Sequence, residues 1–313
     1  MSFSGEVKEE LTKHISASRH CQIAELAAMI HFGGKYQETE GKKTLSFHTE
    51  NQSVIRKYFT LLQKTFNIGI DAAWETLESQ SRSHTYSFVL DEEEHVYKVL
   101  QTVKLLNAEY EVLSFEQPVN AVLIKNSCCQ RAFLRGAFLT AGSMSDPEKS
   151  YHLELVCTNE MQAIQLRDLI QGFQVEAKIV LRKKYYVVYL KEGGGISDLL
   201  NIVEAHVSLM EFENQRIVKE MRNSINRRVN CEAANITKTV NASSKQIEDI
   251  ILIRDNYGFN NLQDSLREMA EVRLDYPDAT LKELGQYLNP PVGKSGVNHR
   301  LRKLSELADR IRT

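Results

Sequence analysis

The side chains that could support hydrolytic or metal chemistry in this chain are sparse. Glu38 and Asp146 each stand four residues beyond a segment rich in small residues, 26–34 (LAAMIHFGG) and 134–142 (LRGAFLTAG). Carboxylates at such places could hold Mg²⁺ against a phosphodiester, which metal-assisted DNA cleavage needs. Both acids fall past the expected helix ends, however. The eighth positions of the two segments are Gly33 and Ala141, which offer no ligand. A metal site needs placed ligands and a supporting shell, so no catalytic residue is expected and the chain is read as a non-enzyme. Five cysteines are present: Cys21, Cys128, Cys129, Cys157 and Cys231. Their number is odd and none form a C-x-x-C pair. Reduced, buried thiols are expected rather than a zinc site or a disulfide framework, and no cofactor is implied.

Basic and polar side chains are better organised for binding a polyanion. The formal net charge of −2 hides an asymmetry. Residues 215–313 hold 17 Lys+Arg against 13 Asp+Glu, and 294–313 alone hold six against two. Near the C-terminus Val297, Leu301, Leu304, Ala308 and Ile311 fall on one stripe at 100° per residue. The other side carries Ser295, His299 and Arg302, flanked by Lys294, Asn298 and Lys303. Such side chains reach both phosphates and base edges, and a helix N-terminus with a lysine before it suits a phosphate. Double-stranded DNA is therefore the expected partner, with these six residues as contacts. The alternative is a basic amphipathic helix packed on the core. Arg227 and Arg228, and Lys178, Arg182, Lys183 and Lys184 around one hairpin, are secondary candidates; a solvated hairpin explains the latter equally well.

These residues need elements to position them. Ser295 is read as the N-cap of the last helix, after the breaker Asn289-Pro290-Pro291-Val292-Gly293. Thr280-x-x-Glu283 reads as a capping box for the helix before it, with Leu281, Leu284 and Leu288 on one side. Ser243-x-x-Gln246 reads as another, after an Asn-rich stretch (Asn230, Asn235, Asn241). Breaks are expected at Asn256 to Asn261 and at Tyr276-Pro277. A basic connecting helix with Ile217, Met221 and Ile225 on one face precedes them. Helix, breaker, helix at the end of the chain is the order of a helix-turn-helix.

The N-terminal part reads as a repeat. After residue 34 come a strand at 44–49, a helix with Val54, Tyr58, Leu61, Leu62 and Phe66 inward, extended segments around Trp74 and at 86–90, and a helix from about 92 to 106. After residue 142 the same order recurs: Leu153, Leu155 and Cys157 alternate, a helix carries Met161, Ile164, Leu166 and Ile170, a hairpin turns at 182–184, and a helix starts near Ser197. Each half is helix–strand–helix–hairpin–helix. Ala24, Ala27, Ala28 and Gly33 in one motif helix, and Gly136, Ala137, Thr140 and Ala141 in the other, would let the two helices approach closely.

Segments 26–34 and 134–142 resemble the LAGLIDADG signature of homing endonucleases, in which the eighth residue is an acid that binds the catalytic metal. The terminal segment resembles region 4 of sigma factors. Together with 2–11 (SFSGEVKEEL) and the Asn-rich 226–241, these pieces resemble the WhiA family over nearly the full chain. The resemblance implies an α+β fold, with a duplicated LAGLIDADG-like N-terminal domain and an all-α helix-turn-helix C-terminal domain. It also implies a DNA-binding regulator of sporulation, cell division or chromosome segregation. The expected boundaries are 1–115 and 116–206 for the two halves, 207–229 for the connecting helix, and 230–313 for the DNA-binding domain. Two other readings stay open: a structure-selective, metal-dependent DNA endonuclease with a relocated acid site, and a protein-interaction platform in the net acidic N-terminal part. No apolar run is long enough to span a membrane, and the first residues lack a signal-peptide pattern. A cytoplasmic, nucleoid-associated protein is the expectation.

Overall fold

The structure, a computed structural model, describes residues 2–39, 41–68, 75–78 and 84–312. The chain divides into two units, Met1–Lys219 and Glu220–Thr313. In the first, α1 (Phe3–Lys13) is followed by α2 (Arg19–Gly33), β1 (Gly34–Thr39), β2 (Lys42–Thr49), α3 (Gln52–Phe66), β3 (Glu75–Glu78), β4 (His84–Leu90) and α4 (Glu93–Thr102). The order recurs as α5 (Ser127–Ala141), β5 (Gly142–Met144), β6 (Leu153–Cys157), α6 (Glu160–Gly172), β7 (Lys178–Arg182), β8 (Tyr185–Leu190) and α7 (Gly193–Ile202). Each half is a four-stranded antiparallel sheet with helices, in order β1-β2-β4-β3 and β5-β6-β8-β7. The expected repeat missed β1 and β5. Both start at the glycine that ends the motif; β1 is polar and mostly exposed, and β5 has only three residues. Neither carries an alternating apolar signal. The segment expected around Trp74 lies outside the described residues.

Small side chains and one buried charge cluster join the halves. Ala24, Ala27 and Ala28 of α2 are fully buried. A Cβ added at Gly136 of α5 would sit 2.4 Å from the Glu25 carbonyl oxygen, so only glycine permits this approach. Beside it Arg135, 1% exposed, donates from Nε and Nη2 to the two carboxylate oxygens of Glu25, itself fully buried, at 3.1 and 3.2 Å. Arg135 also donates to Ser16 Oγ at 2.9 Å and to Glu204 at 2.5 Å. Lys57 of α3 pairs with Glu25 and donates to the Leu11 and His14 carbonyls at 2.7 and 2.9 Å. Burial pulls the Lys57 ammonium below its ordinary range, with Glu25 working against it. The ions are paired and hydrogen-bonded on several sides, which buried charge requires.

The strands build the rest of this core. Leu45 and Phe47 of β2, Phe88 of β4 and Leu153 and Leu155 of β6 point inward. Asn51 caps α3 by accepting from the Ser53 and Val54 amides. Val54, Tyr58, Leu61, Leu62 and Phe66 are buried along it, as the spacing predicts.

α8 (His206–Asn256) is one uninterrupted helix of 51 residues. Glu10 of α1 caps its start, accepting from the Val207 and Ser208 amides at 2.8 Å each. Two expectations are corrected here. The Asn-rich stretch does not break the chain, because isolated asparagines cost little in a helix and make no competing turn. Ser243 is therefore no N-cap; it lies inside α8 and its hydroxyl donates to the Pro277 carbonyl at 2.6 Å. Ile217, Met221 and Ile225 do share a face, but each is more than half exposed.

In the second unit, α9 (Asp264–Asp275), α10 (Leu281–Tyr287) and α11 (Lys294–Arg312) follow. Ile250 and Ile253 of α8 pack with Met269, Leu284, Leu288, Val297, Leu301, Leu304 and Ala308. Among the described residues, no helix is long and apolar enough to cross a membrane. The cysteines are free; Cys21, Cys129 and Cys157 are buried, whereas Cys128 and Cys231 are exposed, contrary to the expectation of burial for all five.

Candidate nucleic-acid interface

α10 and α11 hold the basic side chains of the second unit in a fixed frame. Thr280 Oγ1 accepts from the Glu283 amide at 3.4 Å, and the Glu283 carboxylate accepts from the Thr280 amide at 2.8 Å, completing the expected capping box. That backbone hydrogen bond, followed by the one from the Thr280 side chain, holds the Glu283 carboxyl below its usual range. The turn into α11 folds back on α10: the Val292 amide donates to the Gly285 carbonyl at 2.9 Å. A Cβ at Gly285 would lie 2.0 Å from the Val292 carbonyl oxygen, so the turn lies directly on the helix backbone.

Two arginines then fix the register of α11. Arg300 donates to the Ser265 carbonyl at 3.3 Å and lies 3.6 Å from Glu268 of α9. Arg312 binds Asp249 of α8 at 2.6 Å, where Asp249 is 1% exposed. These are positioning contacts, missed in the sequence because both arginines read as part of a charge cluster. The expected role of Ser295 as N-cap is also corrected. α11 starts at Lys294, and the Gly293 carbonyl accepts from the Gly296 and Val297 amides, so Ser295 sits inside the first turn.

With the Val297–Leu301–Leu304–Ala308 stripe buried, all six candidate residues are exposed: Lys294, Ser295, Asn298, His299, Arg302 and Lys303. Arg302 is partly engaged, its Nε lying 2.9 Å from Glu306. Lys294 and Asn298 also line a groove of about 500 Å³ with Lys238, Lys282 and the capping residue Thr280. The sequence reading passed over Lys238 and Lys282, since neither falls on the α11 stripe.

The secondary candidates are also exposed but more neutralised. Arg182 pairs with Glu154 at 2.7 Å and Lys178 with Glu176 at 3.0 Å. Lys183 occupies the hairpin turn with φ 56°, and Lys184 lies over the Tyr185 ring at 5.4 Å. On α8, Arg228 pairs with Glu232 at 3.2 Å, and Arg227 is exposed.

At the C-terminal end of α2, at the first acid position of the resembled nucleases, there is no room for a side chain. A Cβ at Gly33 would lie 2.5 Å from Phe47 Cε2. Phe47 is fully buried and stacked on Tyr58 with ring centroids 4.2 Å apart. The carboxylate beside the second motif is Glu154, opposite Ser143 in the β5–β6 register. Burial acts to raise its pKa, but the His152 hydrogen bond and the Arg182 charge outweigh that and hold it low. It is a salt-bridged side chain, paired with Arg182 and His152. Glu38 lies exposed on β1, and Asp146 accepts from the Glu148 amide in a loop.

The comparisons with known proteins cover the same ground. Three family models match: the WhiA N-terminal LAGLIDADG-like domain over 19–106, the WhiA LAGLIDADG-like domain over 130–222 and the WhiA C-terminal HTH domain over 225–308. A protein of Lachnoclostridium phytofermentans named probable cell division protein WhiA is 54% identical, covering 100% of both chains. One of the same name from Alkaliphilus oremlandii is 48% identical, over 99% of this chain and 98% of that one. The crystal structure of full-length WhiA from Thermatoga maritima matches with a TM-score of 0.59 at 26% identity, covering 99% of each chain.

Proposed function

The chain belongs to the WhiA family, and from that premise we propose that it is a sequence-specific double-stranded-DNA-binding regulator. α11 is the helix that enters the major groove, and the N-terminal LAGLIDADG-like scaffold does not cut. The observation that carries the reading is the division of α11. One stripe is buried and pinned by Arg300 and Arg312, while the opposite side presents Lys294, Ser295, Asn298, His299, Arg302 and Lys303 to solvent. Asn, His and Arg side chains on one exposed helix face suit base-edge readout. Lys294, Lys282 and Lys238 along the adjoining groove suit the phosphates on its flank. The relatives' printed name supports placing this activity in cell division; gene regulation is our reading of the helix-turn-helix.

Substitution is the test, since deleting residues after 289 would remove Val297, Leu301 and Leu304 from the core. Fluorescence anisotropy with genomic DNA fragments across a salt series is expected to give affinity falling steeply with salt. Lys294→Ala and Lys303→Ala should each lower the log–log slope by about 0.9. Asn298→Ala should narrow the gap between specific and random DNA with little change of slope. Unchanged affinity in a variant combining Lys294→Ala, Asn298→Ala and Lys303→Ala, with the helical circular dichroism intact, refutes the reading. Non-cleavage is supported by Gly33, packed against Phe47, at the first acid position and by Ala141 at the second. Incubation of supercoiled and branched DNA with Mg²⁺ or Mn²⁺ checks it, and cutting lost in Glu38→Ala, Asp146→Ala or Glu154→Ala would overturn it.

A further inference from the structure

At the opposite, N-terminal ends of the two motif helices, four metal-binding side chains converge. His20 and Cys21 lie in the first turn of α2, and Cys128 and Cys129 in the first turn of α5. Their ligand atoms all lie within 4.8 Å of one another. His20 Nδ1 is 3.1 Å from Cys129 Sγ and 3.3 Å from Cys21 Sγ. The expectation of no zinc site rested on the absence of a C-x-x-C pair. That rule reads ligands brought together by one stretch of chain, whereas here each helix contributes a doublet and the fold joins them.

We propose that His20, Cys21, Cys128 and Cys129 form a Cys₃His site for one thiophilic divalent cation, zinc by its ligand set, that ties the N-terminal ends of α2 and α5 together. Tetrahedral zinc, with bonds of about 2.3 Å to sulfur and 2.0–2.1 Å to nitrogen, sets ligand atoms roughly 3.4–3.8 Å apart. The closest pairs are already near that spacing, and side-chain rotation brings in the rest. Cys21 and Cys129 are 6% and 4% exposed and sit on the small side chains Ala24 and Ala132. His20 and Cys128 are exposed and leave a path for entry. All three thiolates would stand at helix N-termini, whose free amides and dipoles favour negative charge. Three thiolates and one imidazole select zinc over hard cations such as Mg²⁺.

One further feature fits. Each doublet precedes its motif by the same interval, His20 and Cys21 before Leu26 and Cys128 and Cys129 before Leu134, so the site lies where the two related helices meet. Binding would release the protons of the ligating thiols. The role is structural, with four protein ligands and no open position.

The experiment uses the untagged full-length chain, purified under reducing conditions, loaded with Zn²⁺ and passed through gel filtration. Metal is measured by inductively coupled plasma mass spectrometry. One zinc per chain is expected, and Co²⁺ in its place should give the thiolate charge-transfer and tetrahedral ligand-field bands. His20→Asn and Cys128→Ser remove exposed ligands and spare the core; both should lose metal on gel filtration and weaken the Co²⁺ bands. Cys157→Ser and Cys231→Ser should keep full loading. Metal no higher than background in folded, zinc-loaded wild-type protein overturns the proposal. So does a Cys21–Cys129 disulfide in protein isolated without oxidant, or loading that survives both ligand substitutions.

Discussion

Returning a side chain to the eighth position of the first motif tests whether Phe47 closes it. Gly→Ala in a helix ordinarily stabilises by roughly 0.5–1 kcal/mol. At Gly33 the new Cβ would meet Phe47 Cε2 at 2.5 Å, Cδ2 at 3.1 Å and Cζ at 3.3 Å. The first contact is about 1 Å inside the optimal carbon–carbon separation. The ring cannot give way cheaply, being fully buried and stacked on Tyr58. Overpacking of this kind costs about 1–3 kcal/mol, so the expected sign reverses and Gly33→Ala should lose up to about 2 kcal/mol. Gly33→Asp adds the cost of a poorly solvated carboxylate and should fall further. In a Phe47→Leu background the clash is relieved, and Gly33→Ala should be neutral or stabilising, a coupling of about 0.5–3 kcal/mol. Urea unfolding followed by circular dichroism gives the four midpoints, compared at constant slope. A Gly33→Ala protein more stable than wild type, or simple additivity with Phe47→Leu, would refute the claim that the aromatic ring fills the space of the acid.

Two other outcomes follow from buried ionisable groups. Arg135→Met leaves Glu25 with Lys57 as its remaining cationic partner, and breaking a buried pair costs about 3–5 kcal/mol; a loss below about 1 kcal/mol in chemical denaturation would show that the cluster is solvated. His31, buried and donating from Nδ1 to the Phe115 carbonyl at 3.1 Å, has its pKa lowered, by burial foremost, against the opposing pull of the Phe115 and Gln117 carbonyls. The unfolded chain therefore takes up the proton first. Stability is full above the unfolded histidine value of about 6.5 and falls as pH drops below it. His31→Gln should flatten that fall below about pH 6.5, and an unchanged pH profile of thermal unfolding would show that His31 does not contribute.

Local signals made much of the fold legible. Apolar alternation marked β2 and β6, helical spacing marked α3, and Thr280-x-x-Glu283 marked the start of α10, because each pattern is written in neighbouring residues. What stayed hidden was written across the chain or in no pattern at all. Arg135 and Glu25 are 110 positions apart, and nothing near either announces a buried ion. The His20–Cys129 approach spans 109 positions. β1 is polar because it is mostly exposed, so it lacks the alternation that betrays a half-buried strand. The Asn-rich part of α8 suggested a break because asparagine favours turns, but no glycine or proline enforces one there. At the candidate interface the sequence supplied the exposed residues of α11; Lys282 and Lys238 required the groove to be seen.

The charge cluster between α2 and α5 has a bearing on which chain a half can recognise. The halves are related by their motifs, yet the ions are not shared between them. Glu25 and Lys57 belong to the first half and Arg135 to the second, where the first half has Ala27 at the matching motif position. Two copies of the first half would leave each Glu25 with Lys57 alone, and two copies of the second would leave each Arg135 with Glu204 alone. Losing one partner from a buried charge cluster is costly either way. The pairing is thus encoded as lock and key between unlike partners. Relatedness alone would favour self-association, and the unsymmetrical Glu25–Arg135 pair makes each half the other's preferred complement.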